Sequence, residues 1–173
     1  MHTTLCTIGF AGKSAEDFFR LLTEAGVQKV IDVRENRGGQ LSGYAKHPDI
    51  EFFLRTVAGI AYVHELRLAP SPEIRAAYRA TRDWSQYEPA FLALMRDRNI
   101  PGSLDPSEFS GTVALLCSEP GPEKCHRRLV ADLCAEHWRG QGHTVEIRHL
   151  VSERPKKKSR KAQRVLDDRT DLE

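Results

Sequence analysis

The sequence lacks any apolar stretch long enough to cross a membrane, since no hydrophobic run approaches the ~18–20 residues that a spanning helix requires. The N-terminus, Met1-His-Thr-Thr-Leu-Cys6, carries neither a basic segment nor a long apolar segment behind it. A secretory signal is therefore not expected. Both absences argue against a membrane partner and favour a soluble chain that stays in the cytoplasm.

Cysteine is scarce, because the 173 residues include only Cys6, Cys117, Cys125 and Cys134. An even number is compatible with disulfides. A chain of this length with 40% hydrophobic residues, however, buries a sufficient core without covalent staples, and nothing marks it as secreted. We expect four reduced thiols, which agrees with a cytoplasmic location.

Three common signatures of ligand binding or catalysis are missing. A dinucleotide fingerprint needs three glycines at fixed spacing before a helix, and a phosphate-binding P-loop needs a four-residue gap between its glycines. The segment Gly9-Phe-Ala-Gly-Lys-Ser14 supplies neither pattern. No Gly-x-Ser-x-Gly elbow occurs, so a hydrolase of that type has no support. These patterns indicate no cofactor.

Charge is unevenly distributed along the chain, whose formal net charge is +2. Residues 152–173 hold eight Lys or Arg and five Asp or Glu, and residues 154–161 form a dense basic run without an aromatic residue. Such a composition does not bury enough apolar surface to fold. We therefore expect a single α/β domain over residues 1–151. The tail that follows is expected to be disordered, and it either solubilises the chain or attracts nucleic-acid phosphates.

Strand and helix patterns alternate through residues 1–151. β-Favouring apolar runs occur at residues 4–8, 27–33, 60–63, 112–117 and 143–147. Apolar spacings of three and four predict helices behind Ser14, from Asp49 to Gly59, and at residues 73–80, 86–98 and 123–138. This order predicts an α/β fold, a three-layer Rossmann-like sandwich with a mostly parallel sheet of about five strands.

The loops that follow parallel strands lie along one edge of the sheet, where ligands bind near the point at which strand order reverses. The loops reaching that edge begin at Gly9, Asp32, His64 and Cys117. Gly9 permits a close backbone approach, and Asp32 and Arg34 point to the same face of an extended chain. These residues also have structural interpretations. Gly9 could simply form a turn, Asp32 and Arg34 could form an ion pair that fixes the next loop, and His64 could be a hydrogen-bonded structural histidine.

The segment from Cys117 to Arg128 carries the densest set of reactive side chains. A buried strand leads through a loop into a helix that we expect to start with Lys124-Cys-His-Arg-Arg128. A helix N-terminus already carries about half a positive charge, so cations in its first turn indicate an anionic ligand. The same field is expected to lower the pKa of Cys125 and make it a reactive cysteine. The alternative is that the arginines face solvent and Cys125 packs in the core.

A metal site built from Cys117, Cys125, His126 and Cys134 is a third interpretation of this segment. Cys134 lies nine residues beyond Cys125, about half a turn out of phase at ~100° per residue. The ligand spacing matches no common zinc pattern. We therefore predict no metal among the site residues, and we interpret Cys134 as a core residue. Trp84 and Trp138 are most simply core or surface-anchor residues.

Taken together, the residues at this edge resemble a known family, called domain of unknown function 488. The similar segments, in order, are Thr7-Ile-Gly9, Asp32-Val-Arg34, Gly59-Ile-Ala-Tyr-Val-His-Glu-Leu66, Cys117-Ser-Glu119 and Cys125-His-Arg127. The resemblance covers about residues 4–150. It implies a Rossmann-type sandwich and one shared site, formed by Gly9, Asp32, Arg34, Glu119, Cys125, His126 and Arg127. The loop Glu35-Asn-Arg-Gly-Gly-Gln40 departs from the Pro- and Ser-bearing basic stretch expected there.

Three functions are compatible with these residues. The first is an enzyme acting on a nucleotide or nucleic acid, in which Asp32 or Glu119 serves as general acid or base and Cys125 or His126 assists. The second is a non-catalytic module that binds an anionic small molecule or nucleic acid. The third is rhodanese-like sulfur transfer on Cys125.

The ligand itself is expected to contact the remaining residues of the edge. Phosphate would be held by Arg34, Arg127 and the helix N-terminus, and the ligand-binding set also includes Gly9, His64 and Cys117.

Overall fold

A five-stranded sheet forms the centre of the molecule, and the computed structural model describes residues 1–38 and 42–152. All paired strands are parallel, in the order β3-β2-β4-β1-β5. The predicted α/β fold with about five strands is therefore confirmed, and the sheet is wholly parallel. The strands are β1 (His2–Gly9), β2 (Lys29–Asp32), β3 (Ala61–His64), β4 (Gly111–Cys117) and β5 (Thr144–Leu150).

Helices cover both faces of this sheet, which gives the three layers of a Rossmann-like sandwich. The α-helices of the described residues are α1 (Ala15–Glu24), α2 (Asp49–Phe52), α3 (Pro72–Thr81), α4 (Trp84–Asp97) and α5 (His126–Gly140). Short 3₁₀ turns at Gly43–Ala45, Leu66–Leu68 and Pro106–Phe109 connect them. The predicted linker over residues 101–111 thus contains one helical turn.

Alternation along β1 divides the core into two parts. Leu5 packs with residues of α4 and α5, whereas Cys6 and Ile8 pack with residues of α1 and α2. Successive strand residues point to opposite faces, so both faces of this central strand are apolar and buried. Cys134 and Trp138 lie in the α5 part of the core and are fully buried, as predicted for Cys134.

Local signals in the sequence explain where most helices begin. The Ser14 hydroxyl accepts a hydrogen bond from the Asp17 backbone N–H at 3.1 Å and caps α1. The Ser71 hydroxyl caps α3 in the same way, with Pro72 at the first helical position. The predicted helix from Asp49 is a single α-turn that continues as a π-helical turn, Phe53–Val57, before Gly59 adopts a φ of +67°.

The sequence prediction for α5 was wrong at its start. Helix α5 begins at His126, with Cys125 as its N-cap in an extended conformation. Lys124 therefore lies before the helix, and the first turn holds fewer cations than expected. Helix boundaries are set by cap geometry rather than by apolar spacing, which explains the displacement.

No helix among the described residues is long and apolar enough to cross a membrane. The basic tail from residue 153 onward lies outside the described residues, as do residues 39–41 of the loop after β2. The expectations for the tail and for a single domain followed by it therefore stay predictions.

Candidate functional site

Four strand ends meet at the carboxyl edge of the sheet. In the register of the parallel pairs, Gly9 of β1 lies beside Cys117 of β4, and Asp32 of β2 lies beside His64 of β3. From β1 the chain crosses the sheet toward β2, whereas from β4 it crosses in the other direction to β5. Strand order therefore reverses between β1 and β4. This is the position at which open parallel sheets leave a crevice for ligands.

Asp32 and Arg34 form a buried ion pair beside this crevice. Asp32 Oδ1 accepts hydrogen bonds from the Arg34 backbone N–H at 3.1 Å and from Nε at 2.8 Å. Asp32 Oδ2 accepts from Arg34 Nη2 at 2.6 Å and from the Tyr62 hydroxyl at 2.7 Å. Both oxygens are thus engaged in a side chain that is 0% exposed, which makes Asp32 an anchor for Arg34.

Asp32 shifts the pKa of both side chains that donate hydrogen bonds to it. Burial alone would lower the pKa of Arg34, but the hydrogen bonds to Asp32 and its negative charge raise it. Burial, together with the charge of Asp32, raises the pKa of Tyr62 to about 12. Arg34 therefore stays a cation, and Tyr62 stays a hydrogen-bond donor to Asp32 at neutral pH.

Arg127 fixes the loop that follows β4. Its Nη1 donates to the carbonyl oxygen of Glu119 at 2.8 Å, and its Nη2 donates to the carbonyl oxygen of Gly121 at 2.6 Å. Gly9 approaches the same loop so closely that a Cβ there would lie 1.7 Å from the Glu119 carbonyl oxygen. Arg127 is 1% exposed, and its guanidinium is bound to the loop. The prediction that Arg127 contacts phosphate is therefore wrong.

Cys117, Cys125 and His126 form a compact buried cluster at the end of β4. Cys117 Sγ lies 3.6 Å from His126 Nδ1, and the two sulfurs and this imidazole lie within 4.8 Å of one another. His126 Nε2 donates to the carbonyl oxygen of Val33 at 2.9 Å, which leaves Nδ1 directed at the sulfur. Arg127 Nη1 donates to Cys125 Sγ at 3.0 Å.

The members of this buried cluster shift one another's pKa. The hydrogen bond with Cys125 holds the pKa of Cys117 well below its usual range against the opposing effect of burial, and His126 acts in the same direction. Burial and the neighbouring Cys117 raise the pKa of Cys125. The predicted lowering of the Cys125 pKa is therefore wrong, because the helix field acts on a thiol that is buried beside a second sulfur.

The imidazole of His126 balances the charge of the sulfur. Burial alone would lower the pKa of His126, but the negative charge of Cys117 and the hydrogen bond between them raise it. His126 Nδ1 faces Cys117 Sγ at 3.6 Å, so a positive charge on this imidazole favours a thiolate beside it.

A cavity of about 420 Å³ lies against this cluster. Its size falls within the ~300–1,000 Å³ that is typical of small-molecule sites. The residues that line it come from the ends of β1, β2 and β4, from α3 and α4, and from the start of α5: Phe10, Arg34, Glu35, Asn36, Pro70, Arg75, Tyr78, Arg79, Arg82, Trp84, Tyr87, Cys117, Ser118, Glu119, Lys124, Cys125 and His126.

One wall of the cavity is aromatic. The rings of Trp84 and Tyr87 stack with centroids 4.9 Å apart and an interplanar angle of 26°. Tyr78 of α3 packs against Tyr87 with centroids 4.9 Å apart. These rings supply an apolar aromatic surface to the cavity.

The cavity lining is also cationic, with five Arg or Lys side chains against two carboxylates. Two of the cations pair with the acids Asp32 and Glu35. Within residues 1–38 and 42–152, the remaining three, Arg79, Arg82 and Lys124, form no ion pair. The cavity therefore has an excess of positive charge that is not neutralised by its own walls.

Glu119 is the carboxylate of the lining whose side chain has no hydrogen bond or ion pair to any described residue. The residue lines the cavity and is exposed to solvent. Partial burial of the carboxyl and the charge of Cys117 raise its pKa. Glu119 is thus available to a ligand in a way that Asp32 is not.

The structure brings together most, though not all, of the predicted residues around one cavity. Arg34, Cys117, Glu119, Cys125 and His126 line it. Asp32, Gly9 and Arg127 lie behind this lining and hold it. His64 is hydrogen-bonded through Nε2 to the carbonyl oxygen of Arg34 at 2.8 Å and does not line the cavity.

Sequence reasoning missed the contribution of helices α3 and α4. Arg75 and Arg79 of α3 lie four residues apart, which places them on one helical face, and Arg82 follows directly after the helix as its C-cap. That spacing was the available signal. Trp84, which the sequence predicts as a core or surface-anchor residue, packs against the core and also lines the cavity.

Comparison with known proteins confirms the family that the sequence resembles. A family model with the description Domain of unknown function DUF488 matches residues 14–134, which include every predicted site residue except Gly9. No curated protein and no solved structure matches the chain significantly. The match covers more than half of the 173 residues. The chain therefore belongs to the family described as Domain of unknown function DUF488.

Proposed function

We propose that this protein is an enzyme that acts on a nucleotide bound in the cavity at the carboxyl edge of the sheet. One observation carries the proposal. The same cavity combines an aromatic wall, three cations without acidic partners, and a floor of reactive side chains. Sites that combine an apolar wall with convergent polar groups are the usual places for small-molecule chemistry.

Phosphate recognition is assigned to Arg79, Arg82 and Lys124. In the described part of the chain they form no ion pair, so an anion does not have to displace one. The N-terminus of α5 adds its partial positive charge beside Cys125. A phosphate group at this end of the cavity would gain several charge-assisted hydrogen bonds.

Base recognition is assigned to the aromatic wall of Tyr78, Trp84 and Tyr87. Stacking of a nucleobase on an aromatic side chain contributes about 1–3 kcal/mol and depends little on the identity of the base. The guanidinium carbon of Arg82 lies 6.0 Å from the centroid of the Tyr78 ring, so the phosphate and base regions of the cavity adjoin.

Chemistry is assigned to Glu119 and to the cluster of Cys117, Cys125 and His126. Glu119 is the carboxylate positioned to exchange a proton with a bound ligand, because its oxygens have no partner in the described structure. Asp32 is assigned a positioning role, since its oxygens are saturated by Arg34 and Tyr62.

Calorimetric titration tests the proposal directly. Nucleoside 5′-monophosphates should bind more tightly than either uncharged nucleosides or inorganic phosphate, because only the monophosphates occupy both regions of the cavity. Once a substrate is found, Glu119→Gln should retain binding and lose most turnover. Equal binding of nucleosides and monophosphates, or full turnover by Glu119→Gln, would refute the assignment.

The alternative is a non-catalytic module that binds the same ligand. The burial of the reactive thiols supports it, since Cys117 and Cys125 are only 5% and 2% exposed. Tight binding of nucleotides without conversion of any of them would favour this alternative. Rhodanese-like sulfur transfer requires a persulfide on Cys125 after treatment with a sulfur donor, and mass spectrometry would detect it.

A further inference from the structure

The geometry points to a metal site at the floor of the cavity, in which Cys117, Cys125 and His126 bind one Zn²⁺ ion. Three protein ligands leave a fourth coordination position open, and that position faces the cavity. The four-ligand set considered from the sequence included Cys134, which the structure places in the core. The site inferred from the structure needs only the three residues that meet.

The distances between the three ligand atoms are close to those of tetrahedral zinc coordination. With Zn–S near ~2.3 Å and Zn–N near ~2.0 Å, a sulfur and a nitrogen ligand lie about 3.5 Å apart, and two sulfurs lie about 3.8 Å apart. Cys117 Sγ and His126 Nδ1 are 3.6 Å apart, and the three ligand atoms lie within 4.8 Å of one another. The side chains therefore need only small rotations to coordinate an ion.

The residues around the cluster are those that a metal site requires. His126 Nε2–H donates to the carbonyl oxygen of Val33, which turns Nδ1 toward Cys117, and Nδ1 gives up its proton when it binds the ion. Arg127 Nη1 donates to Cys125 Sγ at 3.0 Å and supports a thiolate there. A catalytic Cys–His pair would use one sulfur, whereas this cluster buries two beside one imidazole. A metal ion accounts for both sulfurs.

The position of the ion gives it a role in the proposed function. Cys117, Cys125 and His126 all line the cavity, so a ligand oxygen or a water in the cavity has access to the fourth position. Two-cysteine, one-histidine sites with an open position act as Lewis acids toward such groups. This role rests on the proposed function, but metal binding itself does not depend on it.

Titration of the full-length, reduced and metal-free protein with Co²⁺ tests the site. One equivalent of Co²⁺ should produce ligand-field bands and thiolate-to-cobalt charge-transfer absorption, and Zn²⁺ should abolish both. Cys117→Ser and Cys125→Ser should each lose most of the charge-transfer signal. Cys134→Ser removes a fully buried thiol outside the cluster and should keep it. Circular dichroism verifies that each variant folds.

Thiol reactivity of the unmutated chain tests the metal site without relying on the folding of any variant. Zn²⁺ should slow the reaction of Cys117 and Cys125 with a thiol-specific reagent much more than that of Cys6 and Cys134, as followed residue by residue by mass spectrometry. Absence of the cobalt bands, no change in thiol protection, or bands that survive in both folded cluster variants would overturn the metal site. Failure of nucleotides to bind the zinc-loaded protein would refute the proposed function alone.

Discussion

The imidazole of His126 donates a hydrogen bond to the carbonyl oxygen of Val33 at 2.9 Å, across 93 positions of the sequence. This contact joins the end of β2 to the first residue of α5. It places the Asp32-Val-Arg34 segment beside the Cys125-His-Arg127 segment, as the sequence had suggested from the positions of their strands. The site therefore depends on long-range contacts between elements that each form locally.

Removing the charge of Asp32 should lower the stability of the fold, because Asp32 anchors Arg34. Asp32→Asn leaves the buried Arg34 guanidinium without a counter-ion, and loss of one partner of a buried pair typically costs about 3–5 kcal/mol. Urea denaturation should show a lower free energy of unfolding of that order. Glu136→Gln, which changes an exposed carboxylate of α5, is the matched control and should stay within about 0.5 kcal/mol. A stable Asp32→Asn variant would contradict the anchoring role.

Adding a single carbon at Gly9 should distort the site. In Gly9→Ala the new Cβ would lie 1.7 Å from the Glu119 carbonyl oxygen, so the loop after β4 has to move. We expect a loss of about 1–3 kcal/mol in the free energy of unfolding and weaker nucleotide binding. Thermal denaturation and calorimetry measure the two effects.

Gly140→Ala is the control for this substitution. A Cβ at Gly140, the last residue of α5, meets no atom within 4 Å, and alanine should be neutral or stabilise by up to about 1 kcal/mol. Equal stability of the two variants would show that the contact between Gly9 and the loop is unimportant.

Most of the fold was predictable from local patterns. Continuous apolar runs such as residues 112–117 mark buried parallel strands, and the capping serine Ser14 marks the start of α1. The start of α5 was less predictable, because Cys125 is an N-cap without a side-chain cap hydrogen bond. Nothing in the apolar spacing distinguishes this cap from the turn that precedes it.

The roles within the site were less predictable than its location. The sequence places Asp32 and Arg34 at the correct edge of the sheet. It does not reveal that the two side chains form an ion pair with each other. Likewise, Arg127 looks like a phosphate ligand until its guanidinium is seen to bind two carbonyl oxygens. The partners of a buried cation depend on tertiary packing, which a sequence pattern does not encode.

Nucleotide binding should change the fluorescence of one tryptophan and not of the other. Trp84 lines the cavity and should be quenched by a stacked base, whereas Trp138 is fully buried against Phe109 in the core. Titration with a nucleoside monophosphate should therefore quench the unmodified chain. The quenching should disappear in Trp84→Phe, and quenching that persists in this variant would place the ligand elsewhere.

The unpaired cations should determine both affinity and its dependence on salt. Arg82→Gln and Lys124→Gln each remove a charge-assisted contact worth about 1.5–3 kcal/mol, so each should weaken binding by about 10-fold or more. Binding of the variants should also fall less steeply as salt is raised. Arg96→Gln changes an exposed arginine near the end of α4, outside the cavity lining, and should leave affinity unchanged. Equal losses in all three variants would indicate a nonspecific charge effect.

The most direct test is a crystal structure with a bound nucleoside 5′-monophosphate. The proposed function predicts the phosphate among Arg79, Arg82 and Lys124, with the base stacked on Trp84 or Tyr87 and the sugar toward Glu119. A nucleotide bound at another surface, or one whose phosphate faces away from all three cations, would contradict it.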